Sequence, residues 1–472
     1  VQPCSDTTAP MNGLSLEWAF GTEHLDVFIF PSHLLHHSSH RPSAVPRSGF
    51  NNKLSSGVHN LSDEERFALF YVSAHSGVIY DCSTRTQKLL QGHCNPITAC
   101  AVSADKKWIA TADAGPDSLI VVWDSHAGTP VKTFFNPAVH GIAAVDISAD
   151  GAFLATLSAL SSGNEEEVSS SKGTSQTLAV WEWTSADQET ALFEESFPVN
   201  DPQFSVRFNP QNPQELVSNG AKNVFFWNWL PGEPGVANSG GLQCYSPRVQ
   251  KSKFGSGTVG AFTASVFLPD SPSGQVATGT SDGDVMVWEL PTGPDGNPVT
   301  AESHSDPESI VQAGSPERAA SKLIRLGEGS LTVVTIVGKF LCLAGEDGAV
   351  RFYDMQFRLE AWFEDMEAGP VTSVSFSASA FPRSNPARLD FVVPDFVVGT
   401  RQAYVVHMEA VLFEEVEADN RRGTLLVQGM SDEVHGIAMH PYKEEIAIAC
   451  YSGGLYLWDY STKVGTSVQL LR

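Results

Sequence analysis

LLQGHCNPITACAVSADKKWIATADAGPDSLIVVWDSHAGTPVKTFF, from Leu89 to Phe135, decides the fold. It holds four short apolar-rich segments: Ile97 to Val102, Trp108 to Ala112, Leu119 to Asp124 and Pro130 to Phe135. The first alternates inward and outward with period two. The joints before the first three carry Gly-His, Ala-Asp and Gly-Pro-Asp-Ser. Period-two segments divided by such turn residues predict strands rather than helices. The stretch therefore predicts one small sheet of four strands.

The same unit recurs on both sides. Phe67 to Leu90 supplies the later strands of a first unit, and His140 to Ser158 opens a third with its own Ser-Ala-Asp-Gly turn. Phe204 to Trp229 reads as a fourth, Ala261 to Leu290 as a fifth and LTVVTIVGKFLCLAGEDGAVRFYDM as a sixth, with Tyr353 in place of Trp. A seventh is degenerate, with His407 at the aromatic position, and Val434 to Tyr460 regains the full pattern. Gly-His opening a four-strand unit that ends in Trp-Asp resembles the blade of the WD40-repeat family. The resemblance implies an all-β chain built as a WD40 β-propeller.

In that family a His, a Ser or Thr, an Asp and a Trp form a buried hydrogen-bonded chain in each blade. The matching positions here are His93, Thr111, Asp117 and Trp123, with Asp282 and Trp288, Asp347, and Trp458 at corresponding places in later units. Asp117, Asp282 and Asp347 each stand six residues before Trp123, Trp288 and Tyr353, whereas Ser175, Ala221, Arg401 and Ser452 hold that place elsewhere. His, Asp and Thr together also look like acid-base equipment. Recurrence favours scaffolding, because a fold needs the pattern in each unit and a catalytic site does not.

Two architectures fit eight units. The preferred one is a seven-bladed ring over 14–417 with the opening blade of a second propeller in 418–472; the alternative is a single eight-bladed ring. The acidic run Phe413 to Arg422 after the degenerate unit favours the first, and Thr424 to Gly429 could belong to either part. Residues 1–13 read as an extension. Leu14 to Gly21 reads as a lone strand that joins the last blade and removes an exposed edge.

Composition narrows the function. A net charge of −25 with no basic stripe argues against a nucleic-acid partner and favours basic partner segments, or serves solubility alone. The seven cysteines include no CxxC pair, so a disulfide framework or zinc site is not expected and a reducing compartment is. No apolar run approaches a membrane span, so no membrane partner is expected. The first residues match no signal or transit peptide, and the missing initiator Met suggests a piece of a longer protein. HLLHHSSH, His33 to His40, lacks carboxylate or Cys partners and lies in a Ser-rich loop, so it is read as a loop rather than a metal site. There is no phosphate loop, no GxSxG and no HExxH, and no cofactor is expected.

LSLEWAFG from Leu14, YVSAHSGVIYD from Tyr71 and WIATADAGPDSLIVVWDS from Trp108 resemble the axonemal WD-repeat proteins of the calmodulin- and spoke-associated complex. WIATAD followed by Gly-Pro-Asp-Ser also resembles other cilia- and microtubule-associated tandem propellers. The narrower resemblance implies a non-enzymatic scaffold in the cilium or flagellum, at the base of a radial spoke on the doublet microtubule. Its partners would be other axonemal complex and radial-spoke subunits and the calmodulin-linked complex, and the doublet lattice is a further candidate. It also implies a second propeller and an EF-hand-type region. No EF-hand loop occurs in this chain. A ubiquitin-ligase receptor would need Arg two residues after Trp-Asp, where His126 and Ser461 stand.

Inserts at Pro31–Asn60, Gly232–Gly257 and Pro291–Arg318 are candidate contact loops or simple surface additions. Ser161 to Gln176 is acidic and of low complexity. Deleting Asn164 to Val168 is expected to leave thermal unfolding unchanged; a fall of many degrees in Tm would show that the loop is packed.

Overall fold

The computed structural model describes residues 51, 54–160, 175–185, 189–230, 241–247, 259–269, 274–290, 318–364, 366–378, 392–409, 411–412, 421–429, 434–450, 454–459 and 465–470. Among them there is no α-helix, and they form eight four-stranded antiparallel sheets and one two-stranded ribbon. The first sheet orders Val58–Asn60, Ala68–Ser73, Ser76–Asp81 and Thr86–Leu90, and the second orders Ile97–Val102, Trp108–Asp113, Leu119–Asp124 and Thr129–Phe135. Sheets three to six begin at Ile142–Ile147, Ser205–Asn209, Phe262–Phe267 and Leu331–Val337, and each follows chain order outward.

The seventh sheet orders Val371–Phe376, Phe396–Thr400, Tyr404–Met408 and Thr424–Gln428, with the ribbon Val392–Val393 and Val411–Leu412 beside it. The eighth begins at Val434–Met439, and Trp458 lies on its strand Gly454–Asp459. Most turns between strands are short, and pairing follows sequence order even across the long connections between Ser158 and Ser175 and between Glu289 and Ala319.

Each of the first seven sheets has two apolar faces, so each must be covered on both sides. Seven buried clusters do this, each shared by two neighbouring sheets. Six join consecutive sheets; Phe226 of the fourth, for example, meets Trp288 of the fifth edge to face at 5.9 Å. The last joins Val58, Leu69, Tyr71, Val78 and Tyr80 of the first sheet to Val397, Val405 and Val427 of the seventh. The innermost strands follow the same order, and Val58–Asn60 packs on Val371–Phe376. At this seam a Cβ on Gly399 would lie 2.8 Å from Val58 Cγ2, so glycine lets the sheets approach. The Val58 and Asn60 amides donate to Ser373 Oγ and Ser375 Oγ across it, at 3.3 and 2.9 Å.

A bulge opens the innermost strand of the second, third, fifth, sixth, seventh and eighth sheets, and in four of them it holds a Thr: Thr98, Thr263, Thr332 and Thr372. A bulge leaves a residue outside the ladder and turns its side chain. Thr98 Oγ1 thereby donates to the Ile142 carbonyl of the next sheet, and Thr332 Oγ1 to that of Val371, both at 2.5 Å.

Several boundaries differ from the sequence reading. Thr424–Gln428 pairs with Tyr404–Met408, so a division at 417/418 would cut the seventh sheet. The outer strand continues a hairpin across the acidic run, which local composition does not reveal. The insert Pro31–Asn60 ends in the strand Val58–Asn60, and Gly232–Gly257 contains the fourth strand of the fourth sheet, Gly241–Tyr245. Arg318 closes the third insert and is buried, donating to Glu215 Oε2 at 3.1 Å and the Gly274 carbonyl over the Phe226 ring. The expected strand at Leu14 to Gly21, His33 to His40 and the acidic loop at 164–168 lie outside the described residues.

Thr332→Val keeps the shape and removes the donated bond. It is expected to cost about 1 kcal/mol, read as a lower urea midpoint with unchanged slope. An unchanged midpoint would show that the bulge hydroxyl is incidental.

Candidate functional site

The recurring polar residues are the natural place to look for chemistry. In the second sheet Trp123 Nε1 donates to Thr111 Oγ1 at 2.8 Å, and Thr111 Oγ1 lies 2.7 Å from His93 Nε2. His93 Nδ1 faces Asp113 Oδ1 at 3.4 Å, a charge contact rather than a well-aligned hydrogen bond. With Thr111 donating to Nε2, the network assigns the His93 proton to Nδ1, toward the carboxylate. His93, Thr111, Asp113 and Trp123 are all buried, which polar groups tolerate only when partnered.

The acid is Asp113, not Asp117. The turn between these strands is lengthened by Gly115, Pro116 and Asp117, so counting back from Trp123 lands on its apex. Asp117 is exposed there at φ 54°, while Asp113, at the end of the preceding strand, receives the Leu119 amide at 2.5 Å and both Asn95 nitrogens at 3.1 Å. Burial pushes the Asp113 carboxyl up, but contact with His93, the Leu119 amide and Asn95 together hold it below the usual carboxylate range.

Other sheets keep the inner half of the set. Trp181 donates to Thr156 Oγ1 at 2.9 Å, Trp227 to Ser218 Oγ at 2.9 Å and Trp288 to Thr278 Oγ1 at 3.0 Å. Beyond the hydroxyl stands Gln203 in the fourth sheet and Ser265 in the fifth, where the second has His93. Asp282 does not reach Trp288; its amide caps the turn on Thr280 Oγ1 at 3.3 Å. In the sixth sheet Leu343 occupies the hydroxyl position, so the Tyr353 hydroxyl donates to the Leu326 carbonyl at 2.7 Å. Asp347 turns outward to Arg351 instead. In the seventh His407 Nε2 meets Asp395 Oδ2 at 2.9 Å, and Asp395 accepts from Asn60 of the first sheet at 3.0 Å. The side chain of Trp458 lies outside the described residues.

A second cluster gathers on the innermost strands. His59 Nε2 lies 3.6 Å from Cys100 Sγ, and Arg207 pairs with Asp146 at 3.1 Å. Ser56, from the lead-in to the first strand, reaches Cys100, Arg207 and the Thr372 carbonyl, contacts that span four sheets of the ring. A Cys beside a His invites a nucleophile reading, and the protonation states argue against it. Burial, then Lys106 and Arg207, lower His59 to about 3, while burial raises the Cys100 thiol to about 12 despite Arg207. A neutral imidazole beside a neutral thiol makes no thiolate. These groups join sheets and are poorly suited to react.

Sequence reading missed Asp113, Gln203, the bulge threonines and the His407–Asp395 pair. The Thr signal was present as Ile-Thr-Ala, Phe-Thr-Ala, Leu-Thr-Val and Val-Thr-Ser at the start of four units.

The chain was compared with known proteins. Residues 47–413 match the family described as CFAP251 N-terminal domain. The chain is 39% identical over 410 residues to cilia- and flagella-associated protein 251 of Chlamydomonas reinhardtii, covering 85% of this chain and 48% of that protein. It is 35% identical to the Tetrahymena thermophila protein of the same name, covering 88% and 41%, and so spans less than half the length of either relative. Human echinoderm microtubule-associated protein-like 4 is 24% identical, covering 83% and 34%. Among solved structures, the β-propeller domain of Myceliophteria thermophila Cps50 (Swd1) is similar with TM-score 0.44 at 14% identity, covering 77% and 96%.

Asp113→Asn is expected to lower stability by about 1–3 kcal/mol near neutral pH, because it removes a buried charge whose partners are fixed. A depressed carboxyl stabilises the fold above its unfolded pKa, and that stabilisation is lost as the pH falls through the folded value. The difference between variant and parent should therefore shrink in acid. Asp117→Asn should change little, since Asn accepts this backbone region. Equal effects from the two, measured by urea unfolding, would contradict the assignment.

Proposed function

The chain belongs to the CFAP251 family of cilia- and flagella-associated proteins, and we propose that it works there as a non-enzymatic scaffold. It sits at the base of the radial spoke, as the WD-repeat subunit of the calmodulin- and spoke-associated complex, and supports regulation of ciliary motility. The observation that carries this reading is the family match over most of the chain. The accounting of polar groups supports it: the recurring His, Thr, Ser and Trp side chains are consumed in holding sheets together, which leaves the loops to meet partners.

The domain arrangement that goes with this reading is a seven-bladed ring running through Gln428, followed by the first blade of a second propeller from Val434. The shared core of the first and seventh sheets supports that count over an eight-bladed ring. A lone four-stranded blade cannot cover both its faces, which fits a parent protein that continues.

Likeness to a microtubule-associated protein favours a second reading, direct contact with the doublet lattice. With a net charge of −25, such contact would avoid acidic tubulin tails.

A tagged copy expressed in ciliated cells tests both. Signal along the axoneme, with radial-spoke and calmodulin-linked subunits co-purifying, is the expected result. A signal away from the cilium, with ligase adaptors or trafficking coats, would leave the propeller standing and overturn the function.

A further inference from the structure

Residues 54–57, which lead into the first strand, stand inside the ring. The Ser56 amide donates to the Thr372 carbonyl at 3.1 Å, and the Ser56 hydroxyl accepts from Arg207 Nη2 at 3.4 Å. The Ser56 carbonyl accepts the Cys100 thiol at 3.6 Å. Cys100, Arg207 and Thr372 lie on the innermost strands of the second, fourth and seventh sheets. A residue within reach of all three stands in the space that those strands enclose, at the axis of the ring.

This segment is held differently from the strands around it. Leu54 is its one apolar side chain; it is half-buried and packs on the core shared by the first and second sheets. The Leu54 amide donates to Asn51 Oδ1 at 3.2 Å, and the Gly57 amide donates to the Leu54 carbonyl at 3.2 Å, which closes a tight turn. Within that turn Ser56 holds φ 56°, a left-handed conformation that costs energy for any residue with a side chain. From Val58 onward the chain belongs to the first sheet, and the Val58 amide is fastened to Ser373 Oγ. One apolar anchor, long polar contacts and a strained residue make a segment that opens at lower free energy than the paired strands beside it.

What the segment covers is polar. Cys100 Sγ, against the Ser56 carbonyl, also lies 3.6 Å from His59 Nε2, and Arg207 pairs with Asp146 at 3.1 Å. Cys100 is only 8% exposed, although it lies on an innermost strand that borders the channel.

We propose that residues 54–57 form a strap across the axial channel that lifts as a unit, hinged at Gly57, while the ring stays folded. Lifting releases Arg207 Nη2 and the Cys100 thiol from Ser56 and gives solvent a way into the channel. The strap lies beyond the scaffold reading and does not depend on it.

Pulsed labelling of the whole chain with N-ethylmaleimide at increasing urea, read peptide by peptide by mass spectrometry, tests this. Cys342, fully buried in the core of the sixth and seventh sheets, reports opening of the ring itself. Without urea Cys100 is expected to label about tenfold or more faster than Cys342. Its rate should barely respond to low urea, where that of Cys342 rises steeply, because lifting a strap exposes little surface. Leu54→Ala removes the apolar anchor and should speed Cys100 labelling by about tenfold, in a chain whose thermal transition shows that it is folded. Equal rates and equal urea slopes for the two thiols would overturn the proposal, because the segment would then open only with the ring. Fast labelling of Cys100 that Leu54→Ala leaves unchanged would overturn it as well, because the opening would lie elsewhere.

Discussion

A four-stranded sheet with two apolar faces is unstable alone, and this requirement shapes the chain. The structure meets it by placing each of the first seven sheets between two others, so that the seven shared cores close on themselves. The seam between first and seventh sheets is the part that sequence proximity cannot supply, because its halves are more than three hundred residues apart. It combines a shared apolar core, a glycine that permits close approach and hydrogen bonds from strand amides to Ser373 and Ser375.

Polar groups serve the same end at finer scale. The Trp-to-hydroxyl bond fastens the third strand to the second within a sheet, and the bulge threonines Thr98 and Thr332 each fasten one sheet to the next. The only sheet that extends the chain to a buried carboxylate is the second, among the described residues, and there the acid also fixes the turn. Elsewhere a Ser, Gln or Thr suffices. Where the aromatic itself is lost, His407 and Asp395 substitute an ion-pair geometry and lend it to the seam through Asn60. A ring stiffened in this way presents loops at fixed positions.

Much of this was legible in the sequence. Recurring period-two runs, two of them ending in Trp-Asp, carried the sheets and their order. The hydroxyl Thr111 and the tryptophans Trp123 and Trp288 follow from the same repeat. Positions that depend on loop length were not legible: inserting residues before Leu119 moved the acid from Asp117 to Asp113. Strands separated from their sheet by an insert were missed for a similar reason. Val58–Asn60, Gly241–Tyr245 and Thr424–Gln428 are short, lie beside polar or acidic runs, and become strands only because a neighbouring edge offers them hydrogen bonds.

Amide hydrogen exchange at the seam tests the closed ring most directly. If the first and seventh sheets close it, the Val58 and Asn60 amides should exchange only through global unfolding, with the same opening free energy as Ala110 in the second sheet. Exchange of Val58 and Asn60 through a separate, lower-energy opening, while Ala110 stays protected, would show an open arc whose first sheet is not held by the seventh.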